Sequence, residues 1–274
     1  MIDLKDFSNR IKKEFGRFTF YEEPHIYTYK DDNGEEHQIG ISTTSLIDTY
    51  TQEFDEEKWA KIKAKQMGVT VEDVKGMWQR ENDISKAKGH YLHAFMENLW
   101  QGKEYMYPVD EVIAQFGTDV IAPMWNKIIP MMIRYYNKTK DRLIPLGLEL
   151  VIGDVDYDIG GSIDCLFYSI KLDAIIVMDY KTNKKITYKG FNGQTMKFPL
   201  NYLQDCNYIH YSLQLSIYNH ILEKHTHYKL SERRFLLWFN ENNDDVEIIP
   251  CKDLTNEAKI ILKIREKERK LLTN

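Results

Sequence analysis

The chain has 274 residues, of which 43% are hydrophobic and 29% charged, as expected of a globular protein that buries a sizeable core. No stretch approaches the roughly 18 apolar residues of a membrane span, and the first residues mix acids and bases where a secretory signal would be apolar. The net charge of −5 at pH 7 excludes a uniformly basic nucleic-acid-binding protein but leaves room for local basic patches. We therefore expect a cytoplasmic protein without membrane contact.

The N-terminal part is predicted to contain a β-hairpin followed by helices. Alternating, aromatic-rich runs within residues 18–40 flank the turn signal D-N-G at positions 32–34, which predicts the hairpin. The segment S-T-T at positions 42–44 suits the cap of a helix that runs through Tyr50. Helical spacing of apolar residues predicts further helices over 55–67, 70–81, 83–101 and about Val109 to Lys138, the last broken or kinked at Pro123 and Pro130.

From Leu146 onward the spacing of apolar residues changes from helical to extended. Three strands joined by short polar turns, typical of an antiparallel meander, are predicted at 146–153, 157–169 and 173–181. A buried helix, a strand pair and a charged helix follow at 206–225, 233–240, 245–250 and about 256–272. This order predicts an α/β fold with a mixed central β-sheet flanked by helices, in which an N-terminal elaboration (1–82) packs on a core (83–274) as one compact domain.

Three cysteines, Cys165, Cys206 and Cys251, lie far apart and lack C-x-x-C spacing. This spacing argues against a disulfide framework, a zinc ribbon and a four-cysteine iron–sulfur site. We expect buried thiols.

An acid, an aromatic and a lysine end the apolar segment IVMDYK at positions 176–181. Side chains alternate along a strand, so Asp179 and Lys181 share one face and Tyr180 points to the other. Asp164 closes the segment GGSID fifteen residues earlier, and adjacent antiparallel strands of that separation bring the two carboxylates to one edge of the sheet. Carboxylates crowded in this way repel each other, which is tolerated chiefly when a divalent cation lies between them. The alternative is a strand end that simply leaves the core.

Four short motifs follow one another between about residues 85 and 240. The G-x-x-D and D-x-K strands resemble those of the PD-(D/E)XK nuclease superfamily, although GGSID lacks the proline of that name. Gly89, His93 and Glu97 in GHYLHAFME resemble the G-x-x-x-H-x-x-x-E helix of its RecB-like, phage-type exonuclease branch. Gln214 and Tyr218 in QLSIY resemble that branch's Q-x-x-x-Y helix. The resemblance implies a restriction-endonuclease-like core.

The resemblance also implies a metal site. Asp164 and Asp179 would be ligands, with His93 as a third and the backbone carbonyl of Tyr180 as a fourth. The implied cation is Mg²⁺ or Mn²⁺, and because imidazole suits manganese better than magnesium, we expect Mn²⁺ to support activity at least as well. Taken alone, His93 is also compatible with a core histidine, and Glu149 with either a contact to the site or an ion pair with a lysine.

Catalytic roles follow from the same resemblance. The two aspartates and Lys181 form the centre, where Lys181 orients a water molecule or stabilises charge developing on the phosphate. Glu97 is a helper from the helix motif. Gln214 and Tyr218 lie beside the metal and hold either the substrate phosphate or the catalytic strand.

The segment from position 181 to 197 contains five lysines and no acid. It lies between the D-x-K strand and the Q-x-x-x-Y helix, so in this fold we expect Lys184, Lys185, Lys189 and Lys197 to follow the DNA backbone. The alternative for a loop of this composition is a solvated basic face.

Together these motifs predict a metal-dependent DNA nuclease, an exonuclease in recombination, repair or phage genome processing, in a bacterial or phage-infected cell. The sequence has no G-x-x-x-x-G-K-[ST] motif, so any motor would come from a helicase or recombination partner. Two alternatives stay open: a catalytically silent nucleic-acid-binding or assembly subunit on the same fold, and a nuclease that acts on RNA. The constrained charges of Asp164, Asp179 and Lys181 argue against the silent subunit, and the sequence has no RRM-type signature.

Overall fold

The computed structural model describes the backbone of residues 2–103 and 109–272, and the side chains of these residues except 109–112 and 272. No helix in this described part of the chain is long and apolar enough to cross a membrane. The first element, helix α1 (Leu4–Phe15), is absent from the predicted elements. The Asp3 carboxylate caps it, and Phe7, Ile11 and Phe15 recur every four residues and are buried.

The predicted hairpin is confirmed and belongs to a small antiparallel sheet of three strands. Strands β2 (Ile26–Lys30) and β3 (Glu36–Gln38) flank the D-N-G turn, and β1 (Phe18–Tyr21) pairs with the other edge of β2. Gly34 has a φ of +81°, a value that glycine adopts without strain. The alternating aromatic residues of β1 therefore belong to a third strand, outside the hairpin itself.

The central sheet is mixed, as predicted. Strands β5 (Leu143–Asp154), β6 (Ile159–Ser169) and β7 (Ala174–Lys181) form the predicted antiparallel meander. Strand β8 (Phe235–Trp238) is parallel to β7 and antiparallel to β9 (Glu247–Pro250), while the short β4 (Ile41–Ser42) is parallel to the start of β6. Helix α8 (Asn207–Thr226) makes the crossover that parallel strands require between β7 and β8.

One long helix replaces two predicted ones. Helix α4 (Val71–Trp100) runs without interruption through the predicted gap between 70–81 and 83–101. Glu81, Asn82 and Asp83 are polar, but none is a proline or glycine, so nothing there ends the helix. The predicted division between residues 82 and 83 therefore falls inside α4.

The remaining helices begin near predicted positions or divide a predicted helix. They are α2 (Thr43–Asp48), α3 (Glu56–Met67), α5 (Val109–Phe116), α6 (Thr118–Pro123), α7 (Ile129–Thr139) and α9 (Thr255–Leu272). The predicted helix from Val109 to Lys138 is divided at Gly117, and a π-helical turn, Met124–Ile128, follows Pro123. Pro130 lies in the first turn of α7, where its missing N–H costs no hydrogen bond.

Each face of the central sheet has its own hydrophobic core. Ile175 and Val177 of β7 pack into a cluster that includes buried residues of α1, α8 and α9, while Ile176 and Met178 pack into one that includes α4 and α7. This alternation places α8 and α4 on opposite sides of β7. Side chains from both helices can therefore meet at the sheet edge where the D-x-K motif ends.

Candidate active site

Three carboxylates lie in one row across neighbouring strands of the central sheet. Cys165 of β6 pairs with Leu148 of β5 on one side and with Met178 of β7 on the other. The next positions in this register are Glu149, Asp164 and Asp179. Adjacent strands are about 4.8 Å apart at the paired residues, so three acidic side chains begin close together even though they are not themselves ladder pairs.

The sheet opens at this row. Paired residues of β6 and β7 end with Cys165 and Met178, and beyond them the Asp164 carboxylate accepts a hydrogen bond of 2.8 Å from the backbone N–H of Tyr180. Asp164 is 8% exposed. The hydrogen bond from the Tyr180 N–H to the Asp164 side chain thus replaces a backbone hydrogen bond between the strands. It fixes the Asp164 carboxylate beside the D-x-K segment.

Helix α4 supplies a histidine to the row. His93 Nδ1 lies 3.4 Å from Glu149 Oε1 and 3.6 Å from Asp164 Oδ2. One potential ligand atom from each of these three residues lies within 4.8 Å of the others, as a shared cation requires. Glu149, which the sequence left open, therefore belongs to the site. Only the pairing of β5 with β6, which brings it beside Asp164, reveals this.

The chemistry of this His93–Glu149–Asp164 cluster fits a divalent cation. Glu149 Oε1 is buried and makes no well-aligned hydrogen bond among the described residues, so its charge is compensated by His93, 3.4 Å away, or by a bound cation. Burial raises the pKa of Asp164, and the charge of Glu149 adds to that effect. Two carboxylates and an imidazole are ligands that Mn²⁺ and Mg²⁺ sites can use.

Protonation of His93 follows from the same crowding. Burial disfavours its charged form, but the negative charges of Asp164 and Glu149 outweigh burial and raise the pKa of His93 to about 9. The protonated imidazole thus provides a positive charge among the carboxylates. A cation bound by this cluster would displace that proton, because only neutral imidazole is a ligand.

Asp179 and Lys181 form an ion pair beside the cluster. Burial, and then the charge of Asp164, raise the pKa of Asp179 to about 6 in spite of the neighbouring ammonium. Burial lowers the pKa of Lys181, but the negative charges of Asp179 and Asp164 outweigh the effect of burial and raise this pKa above its usual value. The ammonium therefore stays charged. The Lys181 Nζ atom also lies 4.6 Å from the centroid of the Tyr211 ring. Asp179 is not one of the three clustered ligands, and its role as a ligand stays a prediction.

Gln214 and Tyr218 of α8 lie against the strand that carries Asp164. Gln214 Nε2 donates to the Tyr218 hydroxyl at 3.1 Å. A Cβ atom on Gly161 would lie 2.6 Å from the Tyr218 ring, so that ring needs a glycine beneath it. The pair therefore packs on the backbone of β6 three residues from Asp164.

Tyr27 is a site residue that the motifs do not reveal. It extends from β2, and a Cβ atom on Gly160 would lie 2.7 Å from it. Burial, followed by the charges of Glu149 and Asp164, raises the pKa of Tyr27 to about 12, which keeps its hydroxyl protonated. The N-terminal sheet thus packs on the strand that carries Asp164, and both glycines of GGSID accommodate a tyrosine.

The structure does not bring Glu97 into the cluster. Its carboxylate accepts a hydrogen bond of 2.8 Å from Gln101 one turn further along α4, and none of its described contacts reaches His93 or the aspartates. The Tyr180 side chain packs on the α4 side of the sheet, with its ring 5.8 Å from that of His93. The catalytic role of Glu97 and the ligand role of the Tyr180 carbonyl stay predictions.

A cleft of about 540 Å³ leads to His93 and Lys181. Lys184 lines this cleft, and its Nζ atom lies 3.3 Å from Oε1 of Glu81 on α4. The backbone of the loop after β7 is fixed, because the indole of Trp238 and the amide of Asn240 both donate to the Asn183 carbonyl.

The other predicted lysines lie outside the cleft lining. Lys185 and Lys189 are exposed, and Lys197 lies 3.9 Å from Glu53. Of the four lysines, the structure therefore places Lys184 closest to the chemistry. A role in nucleic-acid binding stays a prediction for all four.

Comparison with known proteins identifies the family. A model of the PD-(D/E)XK nuclease superfamily matches residues 70–271, and because this is well over half of the chain, the protein belongs to that superfamily. Its members are generally phosphodiester hydrolases that use divalent metals and bind nucleic acid. The matched range contains every predicted site residue.

A solved structure adds a more distant likeness. The chain is similar to the crystal structure of a candidate exonuclease from Eubacterium rectale, with 15% identity and a TM-score of 0.40, over 74% of this chain and 71% of that one. A TM-score at this level carries no argument about function. No curated protein matches the chain.

Proposed function

We propose that the protein is a metal-dependent deoxyribonuclease of the RecB-like branch, an exonuclease in recombination, repair or phage genome processing. The observation that carries this proposal is the cluster of His93, Glu149 and Asp164 directly beside the Asp179–Lys181 ion pair. The cluster would hold the cation, with Asp179 as a further ligand. A divalent cation bound there supplies Lewis-acid polarisation of the phosphate and a more acidic water molecule.

The protein's own groups would orient and stabilise the reacting phosphate. The buried ammonium of Lys181 faces the cleft and would stabilise the negative charge that develops on the phosphate oxygens during hydrolysis. Gln214 and Tyr218 would act as positioning residues, because they hold the strand of Asp164 through Gly161. Lys184 at the cleft and the neighbouring lysines would neutralise phosphates of the bound strand.

The electrostatics of the site favour an enzyme over a silent binding subunit. Three buried or half-buried carboxylates in one row cost folding free energy, and a protein that only binds nucleic acid gains nothing from that cost. The same carboxylates would also repel a phosphate in the absence of a cation. Crowded acids of this kind are therefore best explained by metal-assisted hydrolysis.

The test is hydrolysis of matched substrates. We expect the protein to degrade end-labelled linear DNA in Mg²⁺ or Mn²⁺, to leave a covalently closed circle intact and to lose activity in EDTA. Asp179→Ala and Lys181→Ala should both abolish hydrolysis, and only Asp179→Ala should weaken metal binding. Cleavage of the circle would show an endonuclease, preference for RNA of the same sequence would favour the RNA nuclease, and full activity in either variant would contradict the proposal.

A further inference from the structure

A second groove, of about 730 Å³, lies between α3, the first third of α4 and the segment around Phe191. Four aromatic side chains line it: Phe54, Trp59, Trp78 and Phe191. Phe54 is 65% and Phe191 56% exposed, although large aromatic side chains normally bury their rings. The family motifs account for none of these residues.

The rings of this aromatic groove form two fixed pairs. Phe54 packs edge-on against Trp78 with centroids 5.9 Å apart, and Trp59 packs edge-on against Phe191 at 5.0 Å. Trp59 and Trp78 extend from helices α3 and α4, so two of the rings are held by rigid elements. Little conformational freedom would be lost when a flat ligand stacks on them.

Positive charge lies beside the rings. Lys58 Nζ is 5.9 Å from the Trp59 ring, and Lys63 lines the same groove without a carboxylate in ion-pairing distance among the described residues. Two acids also line the groove, and each has a partner. Asp55 caps α3 by accepting the N–H of Lys58 at 2.9 Å, and Glu53 lies 3.9 Å from Lys197. Flat apolar faces next to available ammonium groups match bases joined by phosphates.

The aromatic groove and the active-site cleft lie next to each other along α4. Trp78 lines the groove and Glu81 lines the cleft, and residues three apart are neighbours on a helix surface. His93 follows Trp78 by fifteen positions, which is about 22 Å along the helix axis. A strand at the ~3.4 Å spacing of stacked nucleotides would cover that distance with about six nucleotides.

We infer that the rings of the aromatic groove stack on bases of a single DNA strand, and that a phosphate further along the same strand lies in the active-site cleft. The inference rests on the proposed nuclease function and specifies the form of its substrate. Base faces in a duplex are already stacked on each other, so only an unpaired strand can offer them to these rings. The enzyme would thus engage a single-stranded segment of about six nucleotides at the stacked spacing.

The double variant Phe54→Ala/Phe191→Ala tests this inference, because both side chains are exposed and their removal leaves the core intact. The matched control is Phe198→Ala/Tyr202→Ala, which removes two aromatic rings that are 82% and 62% exposed and line neither cavity. Affinity is measured in Ca²⁺ for labelled single strands of about 4 and about 20 nucleotides, lengths below and above the expected span.

We expect the groove variant to bind the long strand about 10- to 100-fold more weakly than wild type, as loss of one stacked base predicts. The short strand should bind wild type more weakly than the long strand, because it cannot contact the groove and the cleft together, and the control variant should match wild type. The long strand should also quench tryptophan fluorescence in wild type, and Trp59→Phe/Trp78→Phe should remove that quenching while it keeps rings for stacking. Unchanged long-strand affinity in the groove variant overturns the inference and leaves a protein ligand as the occupant.

Failure of the nuclease proposal would look different. If wild type cleaves the short strand and Asp179→Ala does not, the nuclease assignment holds whatever the groove binds. If wild type cleaves neither strand while long-strand affinity still depends on Phe54 and Phe191, the groove binds DNA and the proposed hydrolysis is wrong.

Discussion

Asp154 and Asp164 lie on the same pair of strands, are both buried and each have a histidine nearby, yet their other neighbours differ. Asp154 accepts hydrogen bonds from Lys224 Nζ at 2.7 Å and from His225 Nε2 at 2.8 Å. Asp164 instead has Glu149 and Asp179 as neighbours in its row. Burial opposes ionisation of Asp154, but its hydrogen bonds to His225 and Lys224 outweigh burial and lower its pKa to about 2. The pKa of Asp164 is raised.

This difference separates a structural acid from a functional one. Burial raises the pKa of any carboxyl group, so the partners decide whether the charged form is stabilised. Asp154 ties α8 to the end of β5 with its charge fully compensated. The carboxylate row around Asp164 is left crowded at a cost in stability, a pattern found where a protein binds a cation or does chemistry.

The largest effect is expected from Asp164→Asn, which removes a charge from the row but keeps its shape. Hydrolysis should fall by at least about 10³-fold, as for loss of a group that acts on charge in the transition state. The free energy of unfolding without divalent metal should be at least as high as in wild type, because like-charge repulsion is relieved. Urea denaturation in EDTA, alongside the nuclease assay, measures both. Near-normal activity would remove Asp164 from the site.

Asp154→Asn should give the converse result. Loss of the buried carboxylate costs about 3 kcal/mol of stability, since Lys224 and His225 then lose the acceptor of their hydrogen bonds, although Lys224 keeps Asp156 at 2.7 Å. Activity per folded molecule should not change, because this cluster lies outside the cleft. Urea denaturation and the nuclease assay measure these two effects. A loss of activity at temperatures where the variant is fully folded would mean that Asp154 is coupled to the site.

Acid should weaken the Asp154 cluster in a defined pH window. Its pKa is depressed in the folded state from 3.8 to about 2, so its contribution is present above pH 4 and is lost as the pH falls toward 2. The contribution amounts to about 2 kcal/mol. Urea denaturation at pH 6 and near pH 2.5 should show this loss in wild type but not in Asp154→Asn. Equal losses in both proteins would assign the acid sensitivity to other groups.

The sequence could predict the elements that local pattern determines. Strand alternation and helical spacing gave the mixed sheet and α8, and the spacing of D-x-K placed Asp179 and Lys181 on one face. Glu149 and Tyr27 were beyond such reasoning, because only strand register and the packing of the N-terminal sheet on Gly160 bring them to the site. The unbroken α4 shows the opposite error, because its polar residues 81–83 predict a boundary that the helix does not have.

The smallest effect should come from exchanging the histidine beside each aspartate. His93→Gln removes a proposed ligand next to Asp164 and should weaken Mn²⁺ binding about 10-fold or more, with little loss of stability. His225→Gln, the matched control, removes a donor to Asp154 and should lower stability by about 1 kcal/mol without changing Mn²⁺ affinity. Calorimetric titration with Mn²⁺ and thermal unfolding measure the two effects in one preparation. If His93→Gln lowered stability and left Mn²⁺ affinity unchanged, His93 would be a core histidine. Metal binding would then not explain the difference between the two aspartates.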